Sequence, residues 1–311
     1  MSFGHNLPLY LLPFDHRHSY VSGMFQLDSP LTATQRRAVI ESKQVIYDGF
    51  RYALGGELTV DTAGLLVDEE FGGAILRDAN RSGYVTALST ERSGSAEFEF
   101  EYGSAFAAHI EAFQPTFAKA LVRYNPEGDV ALNARQTARL KQLSDYCRTV
   151  GQRFMFELLV PATQAQMDRS GADQEAYDQS VRPALVLQAI SALQDAGVEP
   201  DIWKIEGLDR REDCERVVAV SRRDGRDEVG CIVLGRHADD EKVTSWLRTA
   251  ASVPGFIGFA VGRTTFWDAI ADYVKKRTTR SEAAARIAQR YREWVTVFDG
   301  ARHSQSSAAW W

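Results

Sequence analysis

The feature that most constrains the fold is a series of eight short apolar runs, separated by longer segments with helical periodicity. Several runs are apolar at consecutive positions, which is typical of parallel strands covered on both faces. The alternation predicts a parallel sheet, and eight units predict closure into a single (βα)8 TIM barrel. The runs occupy residues 9–14, 64–68, 83–88, 117–124, 153–160, 201–206, 229–234 and 255–261.

An open, doubly wound parallel sheet is the alternative architecture. No GxGxxG motif follows the first run, which disfavours the dinucleotide-binding form of that fold. Helical periodicity over residues 281–298 predicts a C-terminal helical extension. We therefore assign residues 1–299 to one barrel domain and the Ser- and Ala-rich residues 300–311 to a flexible tail.

Bulk composition disfavours several classes of protein. A formal net charge of −6, with 25% charged residues, argues against nucleic acid and membrane surfaces as partners. No apolar run reaches the roughly 20 residues that cross a bilayer, and the first run lacks the basic segment and cleavage site of a signal peptide. The three cysteines show no CxxC spacing, which disfavours disulfides and structural zinc and indicates a reducing, cytoplasmic location.

Polar side chains cluster where the predicted strands end. In a TIM barrel the active site lies at the carboxyl ends of the strands, so these residues are the candidates for catalysis and binding. The candidates, in chain order, are Asp15, Arg17, Asp68, Lys119, Arg123, Glu157, Lys204, Gly235, Arg236, Gly262 and Arg263.

Two lysines lie inside predicted strands. Lys204 lies between Trp203 and Ile205 in the sixth run, and lysine is almost never fully buried without a partner or a task. Burial near a second cation lowers the pKa of an amine and makes it a nucleophile toward ketones. Lys119 repeats the pattern in the fourth run, and repulsion between the two would lower the pKa of one or both. The alternatives are a structural ion pair of Lys204 with a nearby glutamate and an outward-pointing Lys119.

Glu157 lies between Phe156 and Leu158 in the fifth run. Burial should raise its pKa toward neutrality and suit it to proton transfer, although it can also act only as the ion-pair partner of a lysine. Gly-Arg pairs end the last two runs, at 235–236 and 262–263. Barrels often bind phosphate at this place, through backbone N–H groups and arginine side chains. The alternative is that these arginines lie on surface loops.

Asp15, His16 and Arg17 follow the first run. No HxH or HExxH spacing supports a metal site, so we expect these residues to bind substrate hydroxyls or orient Lys204. Asp68 is expected to reach the pocket, whereas Glu69 and Glu70 are expected to cap the next helix or face solvent.

From about residue 117 to 298 the chain resembles the aldolase-like C-terminal domain that is fused to a sugar kinase in bacterial inositol catabolism. The kinase half has no counterpart here, so a stand-alone version is expected. More distantly, the barrel resembles tagatose-bisphosphate and sulfofructose-phosphate aldolases, which are Schiff-base enzymes. The stretches that carry the closer resemblance are KALVRYNPEGD, FELLVPAT, AGVEPDIWKIEGLDRREDCERVV, CIVLGR and PGFIGFAVGRTTFWD.

The resemblance assigns roles to particular residues. It implies that Lys204 forms the Schiff base, and that Glu157, Lys119 and Asp15 complete the catalytic set. It also implies that Gly262 and Arg263 contact phosphate.

The implied reaction is that of a carbon–carbon lyase without a metal or an organic cofactor. The lyase would cleave 2-deoxy-5-keto-gluconate 6-phosphate to dihydroxyacetone phosphate and malonate semialdehyde. The alternatives are an aldolase for another phosphorylated or sulfonated ketose, a metal-dependent lyase, and a non-catalytic phosphosugar-binding regulator. The expected partners are a small phosphorylated sugar and further copies of the chain in a homo-oligomer.

Overall fold

Each of the eight apolar runs forms a strand, and most strand residues are buried on both faces. In a computed structural model, which describes residues 4–56, 58–236 and 238–306, the strands close into a parallel barrel in chain order. The predicted TIM barrel is confirmed, and the open-sheet alternative is wrong. The strands are β1 (Leu9–Pro13), β2 (Ala63–Val67), β3 (Val85–Ser89), β4 (Phe117–Arg123), β5 (Arg153–Leu159), β6 (Ile202–Glu206), β7 (Gly230–Leu234) and β8 (Phe256–Ala260).

Twelve helices are described, and they surround the barrel or extend from it. Several begin at a side chain that accepts a hydrogen bond from the first turn; Thr32 and Gln35 form a reciprocal capping box at the start of α2. The helices are α1 (His18–Phe25), α2 (Ala33–Ala53), α3 (Glu69–Arg81), α4 (Phe106–Phe113), α5 (Val130–Val150), α6 (Gln164–Arg169), α7 (Gln174–Ser180), α8 (Arg182–Asp195), α9 (Arg211–Ser221), α10 (Asp240–Ala251), α11 (Arg263–Val274) and α12 (Arg280–Ser306).

Apolar residues fill the lower part of the barrel. Side chains two residues apart on a strand point to the same face, and the inward-facing positions change from apolar to charged toward the carboxyl ends. In β4, β5 and β6 the apolar positions are Phe117, Met155 and Ile202, which belong to one buried cluster. Two residues further along lie Lys119, Glu157 and Lys204. The apolar side chains in the lower part of the barrel therefore lie directly below a layer of charged side chains.

The C-terminal extension is helix α12, which packs against α2, α10 and α11. It continues to Ser306, so residues 300–306 are helical although the sequence favours a flexible tail from residue 300. The amphipathic pattern ends near Phe298, but the helical backbone runs on past it. Residues 307–311, the rest of the predicted tail, lie outside the described residues. No helix in the described part of the chain is both long and apolar enough to cross a membrane.

Candidate active site

A cavity of about 380 Å³ opens at the carboxyl ends of the strands. Among the described residues, every strand except β2 contributes lining from its carboxyl end or the loop that follows. Charged side chains line its floor and its mouth, as expected for the functional end of a TIM barrel.

Two buried lysines share one carboxylate at the base of the cavity; Lys204 and Glu157 line the cavity, and Lys119 lies behind Glu157, outside the lining. Lys204 and Glu157 are register partners on adjacent strands, and Lys204 Nζ lies 2.8 Å from Glu157 Oε2. Lys119 Nζ lies 2.8 Å from the same oxygen atom. Exposure is 3% for Lys204, 0% for Lys119 and 7% for Glu157. Both lysines therefore point inward, and the outward alternative for Lys119 is wrong.

Lys119 is the cation of a buried cluster of three carboxylates. Besides Glu157, its Nζ lies 2.9 Å from Asp15 Oδ2 and 2.8 Å from Glu91 Oε1. Burial alone would lower the pKa of Lys119, but Asp15, Glu157 and Glu91 outweigh it and raise the pKa well above its usual value. The sequence-based expectation of repulsion between the lysines is thus wrong for Lys119, which remains an ammonium ion.

The ammonium groups also reverse the prediction for Glu157. Burial opposes ionisation, but the charges of Lys119 and Lys204 dominate and hold the pKa of Glu157 below its usual value. Asp15 behaves in the same way, since burial is outweighed mainly by Lys119 and its pKa is lowered. Both side chains are carboxylates at neutral pH.

Glu91 is the member of this site that the sequence analysis missed. It follows β3 at the same end of the barrel, and its Oε2 also accepts a hydrogen bond from the Leu121 N–H at 3.2 Å. Burial raises the pKa of Glu91, Lys119 opposes this effect, and Asp15 adds to it. The sequence feature that could have identified Glu91 is the polar STER segment directly after the third apolar run.

Gly262 and Arg263 line the cavity where α11 begins. A Cβ atom at Gly262 would lie 2.4 Å from the carbonyl oxygen of Pro13, so glycine permits the close passage of β8 and β1. Desolvation lowers the pKa of Arg263 to about 10. Arg263 makes no salt bridge with any described residue, so its side chain is available to an anion at the N-terminus of α11.

The other Gly-Arg pair is arranged differently. Gly235 and Arg236 also line the cavity, but Arg236 Nε lies 2.8 Å from Glu206 Oε1 and its Nη1 lies 2.6 Å from Asp178 Oδ1. Two carboxylates already balance this guanidinium, so Arg236 is less available to an anion than Arg263. The backbone of Arg236 has a positive φ of 37°.

Two further predicted residues, Arg17 and Arg123, have different surroundings. Arg17 lines the cavity but is 6% exposed; it is ion-paired with Glu101 and donates to the backbone carbonyl of Glu91. These partners indicate a role in holding the segment after β3, which differs from the predicted binding of substrate hydroxyls or orientation of Lys204. Arg123 lies at the cavity mouth and is exposed.

Asp68 does not line the cavity, and the expectation that it reaches the pocket is wrong. Its Oδ1 caps α3 by accepting from the Phe71 N–H at 2.8 Å, and its Oδ2 is ion-paired with Lys43. Both side chains of this pair are 0% exposed. Lys43 in turn donates to the carbonyls of Phe14 and His16 at 2.8 Å and 3.0 Å. The pair therefore fixes the backbone on both sides of Asp15.

The positions of histidine and acidic side chains show whether the described residues could hold a metal ion. Burial lowers the pKa of His16 to about 3, so its imidazole is neutral. In the described ranges, no group of three or more His, Cys, Asp and Glu side chains is placed to hold a metal ion.

The fold is similar to those of two solved structures. One is Cgl0159 from Corynebacterium glutamicum, with 16% identity, a TM-score of 0.55, and coverage of 93% of this chain and 87% of that chain. The other is fructose-bisphosphate aldolase from Plasmodium falciparum, with 13% identity, a TM-score of 0.59, and coverage of 97% and 98%. At these identities the likeness shows the fold alone.

No curated protein matches the sequence. A family model described as uncharacterized protein conserved in bacteria (DUF2090) matches residues 5–302. This match spans nearly the whole barrel and its helical extension. The chain belongs to the DUF2090 family.

Proposed function

We propose that the protein is a class I aldolase, a carbon–carbon lyase that forms a Schiff base on Lys204. The observation that carries the proposal is the placement of Lys204 Nζ 2.8 Å from the ionised Glu157, both in the lining of the cavity, with the second buried lysine, Lys119, behind Glu157. A nucleophilic lysine needs an adjacent proton acceptor and an environment that excludes water.

A structural ion pair alone does not explain the presence of both lysines. Lys119 already lies within ion-pair distance of all three carboxylates in the cluster. Among the described residues, Lys204 forms an ion pair only with Glu157, at an oxygen atom that Lys119 also contacts. With Lys119 retained as the permanent cation, Lys204 is the amine that can give up its proton without leaving the carboxylates unpaired.

The proposed reaction begins when Glu157 accepts a proton from Lys204 and the free amine attacks the substrate ketone. A second proton passes from the attacking nitrogen to the former carbonyl oxygen, Glu157 returns its proton to the same oxygen, and the oxygen leaves as water to give an iminium ion. The hydroxyl on the departing carbon then transfers its proton to Glu157 while the carbon–carbon bond breaks. The electron pair passes to the iminium group, which becomes an enamine, and an aldehyde departs. Glu157 protonates the enamine carbon, and hydrolysis of the new iminium releases the ketone product.

Asp15 lines the cavity and orients a substrate hydroxyl, while the buried Lys119 holds Asp15 and Glu157 in place through its ion pairs. The phosphate is bound by Arg263, by N–H groups at the start of α11, and more weakly by Arg236. Binding energy at this remote phosphate fixes the ketone against the amine. The sequence resemblance to the inositol-catabolism domain supports 2-deoxy-5-keto-gluconate 6-phosphate as substrate, with dihydroxyacetone phosphate and malonate semialdehyde as products.

The test is cleavage of this substrate, followed by release of dihydroxyacetone phosphate. The wild-type enzyme should turn over in the presence of EDTA, and Lys204→Met should abolish turnover while leaving the fold intact. Lys242→Met serves as the matched control, because Lys242 is a partly exposed lysine paired with Asp209 outside the cavity.

Retained turnover in Lys204→Met would refute the Schiff-base mechanism. Loss of wild-type activity in EDTA would instead favour a metal-dependent lyase. Binding without turnover of any phosphorylated or sulfonated ketose would favour a phosphosugar-binding regulator.

A further inference from the structure

The segment after β3 forms a hairpin that covers one side of the cavity mouth. Glu91 and Phe100 form an isolated antiparallel bridge, and residues 92–98 between them all line the cavity. β4 lies directly across the barrel from β8, because the eight strands close in chain order. Arg123, at the end of β4, therefore lies across the barrel from Arg263. The hairpin loop extends from β3 toward the segment after β1, where the His18 N–H donates to Ser93 Oγ at 3.1 Å.

The hairpin loop is fastened to the protein on both sides. Gln136, which is 0% exposed, accepts from the Phe98 N–H at 2.9 Å and donates to the Arg123 carbonyl at 3.0 Å. Arg139 donates to the Phe98 carbonyl at 2.9 Å. At the other end, the Ser93 N–H donates to Glu101 Oε2 at 3.0 Å. These contacts fix the position of the loop beside Arg123.

Most charged side chains around the loop are ion-paired, and Arg123 is the exception among the described residues named below. Arg17 pairs with Glu101 and Arg92 pairs with Glu99, while Glu97 pairs with two arginines. Arg123 makes no salt bridge with any described residue, and its Nη1 donates only a long 3.4 Å hydrogen bond to the Ser95 carbonyl. The five arginines and three glutamates concerned are Arg17, Arg92, Arg123, Arg135, Arg139, Glu97, Glu99 and Glu101.

Backbone donors add to this charge. Within the described ranges, no hydrogen bond is made by the N–H groups of Gly94, Ser95 and Ala96, and these three residues line the cavity. Arginine forms a fork whose two parallel N–H groups match the two oxygens of a carboxylate. Arg123 lacks the helix N-terminus and the second arginine that accompany Arg263, so this side of the cavity suits a single negative charge better than a phosphate dianion.

We propose that Arg123 and the loop of residues 92–96 bind a carboxylate at the end of the substrate opposite its phosphate, in the half that departs as the aldehyde. This proposal rests on the proposed aldolase function and names its substrate class, a phosphorylated keto acid with an anionic group at each end. The arrangement selects against ketoses that end in a neutral hydroxymethyl group.

The test compares two substrates that differ at one end. The first is 2-deoxy-5-keto-gluconate 6-phosphate, and the second is the same compound with its carboxylate reduced to a hydroxymethyl group. Arg123→Gln should lower kcat/KM for the acid by about 10- to 100-fold, the effect of losing a charge-assisted hydrogen-bonded pair. It should change kcat/KM for the neutral compound by less than about threefold. Arg81→Gln, at an exposed arginine outside the cavity, should change neither.

A binding measurement separates this proposal from the chemistry. Calorimetric affinities of Lys204→Met, with and without Arg123→Gln, are compared for the same two compounds. If Arg123→Gln weakens binding of the acid but not of the neutral compound, the carboxylate site is supported. This holds even where the wild type shows no turnover and the aldolase proposal fails. Equal losses for both compounds, no loss for either, or a wild-type preference for the neutral compound would overturn the carboxylate site.

Discussion

Replacing Lys119 by methionine tests the electrostatic account of the cavity floor. Lys119 is fully buried, and its Nζ contacts Asp15, Glu91 and Glu157 at 2.9, 2.8 and 2.8 Å. Methionine has a similar length but no charge, so the substitution leaves three buried carboxylates with Lys204 as the remaining cation. Removing one partner of a buried ion pair costs about 3–5 kcal/mol. We expect a loss of that size in the free energy of unfolding at pH 8.

The cost should depend on pH. In the wild type, the lowered pKa values of Asp15 and Glu157 give stability that is present above the unfolded-state values of about 4 and is lost as pH falls. Without Lys119, burial is less opposed and these pKa values rise. The variant then loses stability as pH increases above about 4, because ionisation becomes costly in the folded state. The difference between wild type and Lys119→Met should therefore increase between about pH 4.5 and 8.

Urea denaturation at several pH values measures this difference. The matched control is Lys141→Met, at a half-exposed lysine whose only ion pair in the described residues is with Asp145 on the same helix. It should cost at most about 0.5 kcal/mol at either pH. A cost for Lys119→Met below about 1 kcal/mol, or one that is equal at pH 4.5 and 8, would refute the reasoning.

Three further predictions concern the barrel around the site. Lys43→Met should lower the free energy of unfolding by about 3–5 kcal/mol, and adding Asp68→Leu should recover part of this loss, because the pair is completely buried; purely additive losses in urea denaturation would contradict this. Gly258→Ala should prevent stable folding, because the added Cβ would lie 1.8 Å from the carbonyl oxygen of Leu9. Gly300→Ala, in open space on α12, should instead stabilise the protein by about 0.5–1 kcal/mol. Thermal midpoints of the two variants measure both effects, and a Gly258→Ala midpoint equal to that of the wild type would contradict the reasoning. The three cysteines are all buried and burial raises their pKa, so they should react with a disulfide reagent only after denaturation; rapid labelling of the native protein would refute their placement.

The sequence predicts the fold well because parallel strands of a barrel are apolar on both faces. The eight runs therefore stand out without any knowledge of the contacts between them. Errors occur at boundaries where backbone conformation intervenes. The third run was expected to begin at Gly83, but this residue has a φ of 76° after the end of α3, and the strand begins at Val85.

The site was only partly predictable, for a physical reason. The rule that function lies at strand ends brings Asp15, Lys119, Glu157 and Lys204 into consideration, and the structure places all four together. The direction of a pKa shift depends on partners far apart in sequence. Glu91 completes the cluster around Lys119, and no local pattern reveals that contact.

Asp68 shows the opposite error, because the strand-end rule included it in the pocket although it does not line the cavity. Its position after β2 makes it resemble a pocket residue, but its partner Lys43 comes from α2 and turns it away from the cavity. The contact between these two residues depends on tertiary packing. A strand-end rule alone therefore cannot separate carboxylates that line the pocket from those that position the backbone.

The most direct test of the central claim is to treat the protein with borohydride in the presence and absence of dihydroxyacetone phosphate, followed by intact-protein mass spectrometry and peptide mapping. The account predicts one reduced adduct per chain, formed only with the ligand and located on Lys204. An adduct on Lys119 instead, or none despite demonstrated binding of dihydroxyacetone phosphate, would contradict the assignment of Lys204 as the Schiff-base lysine.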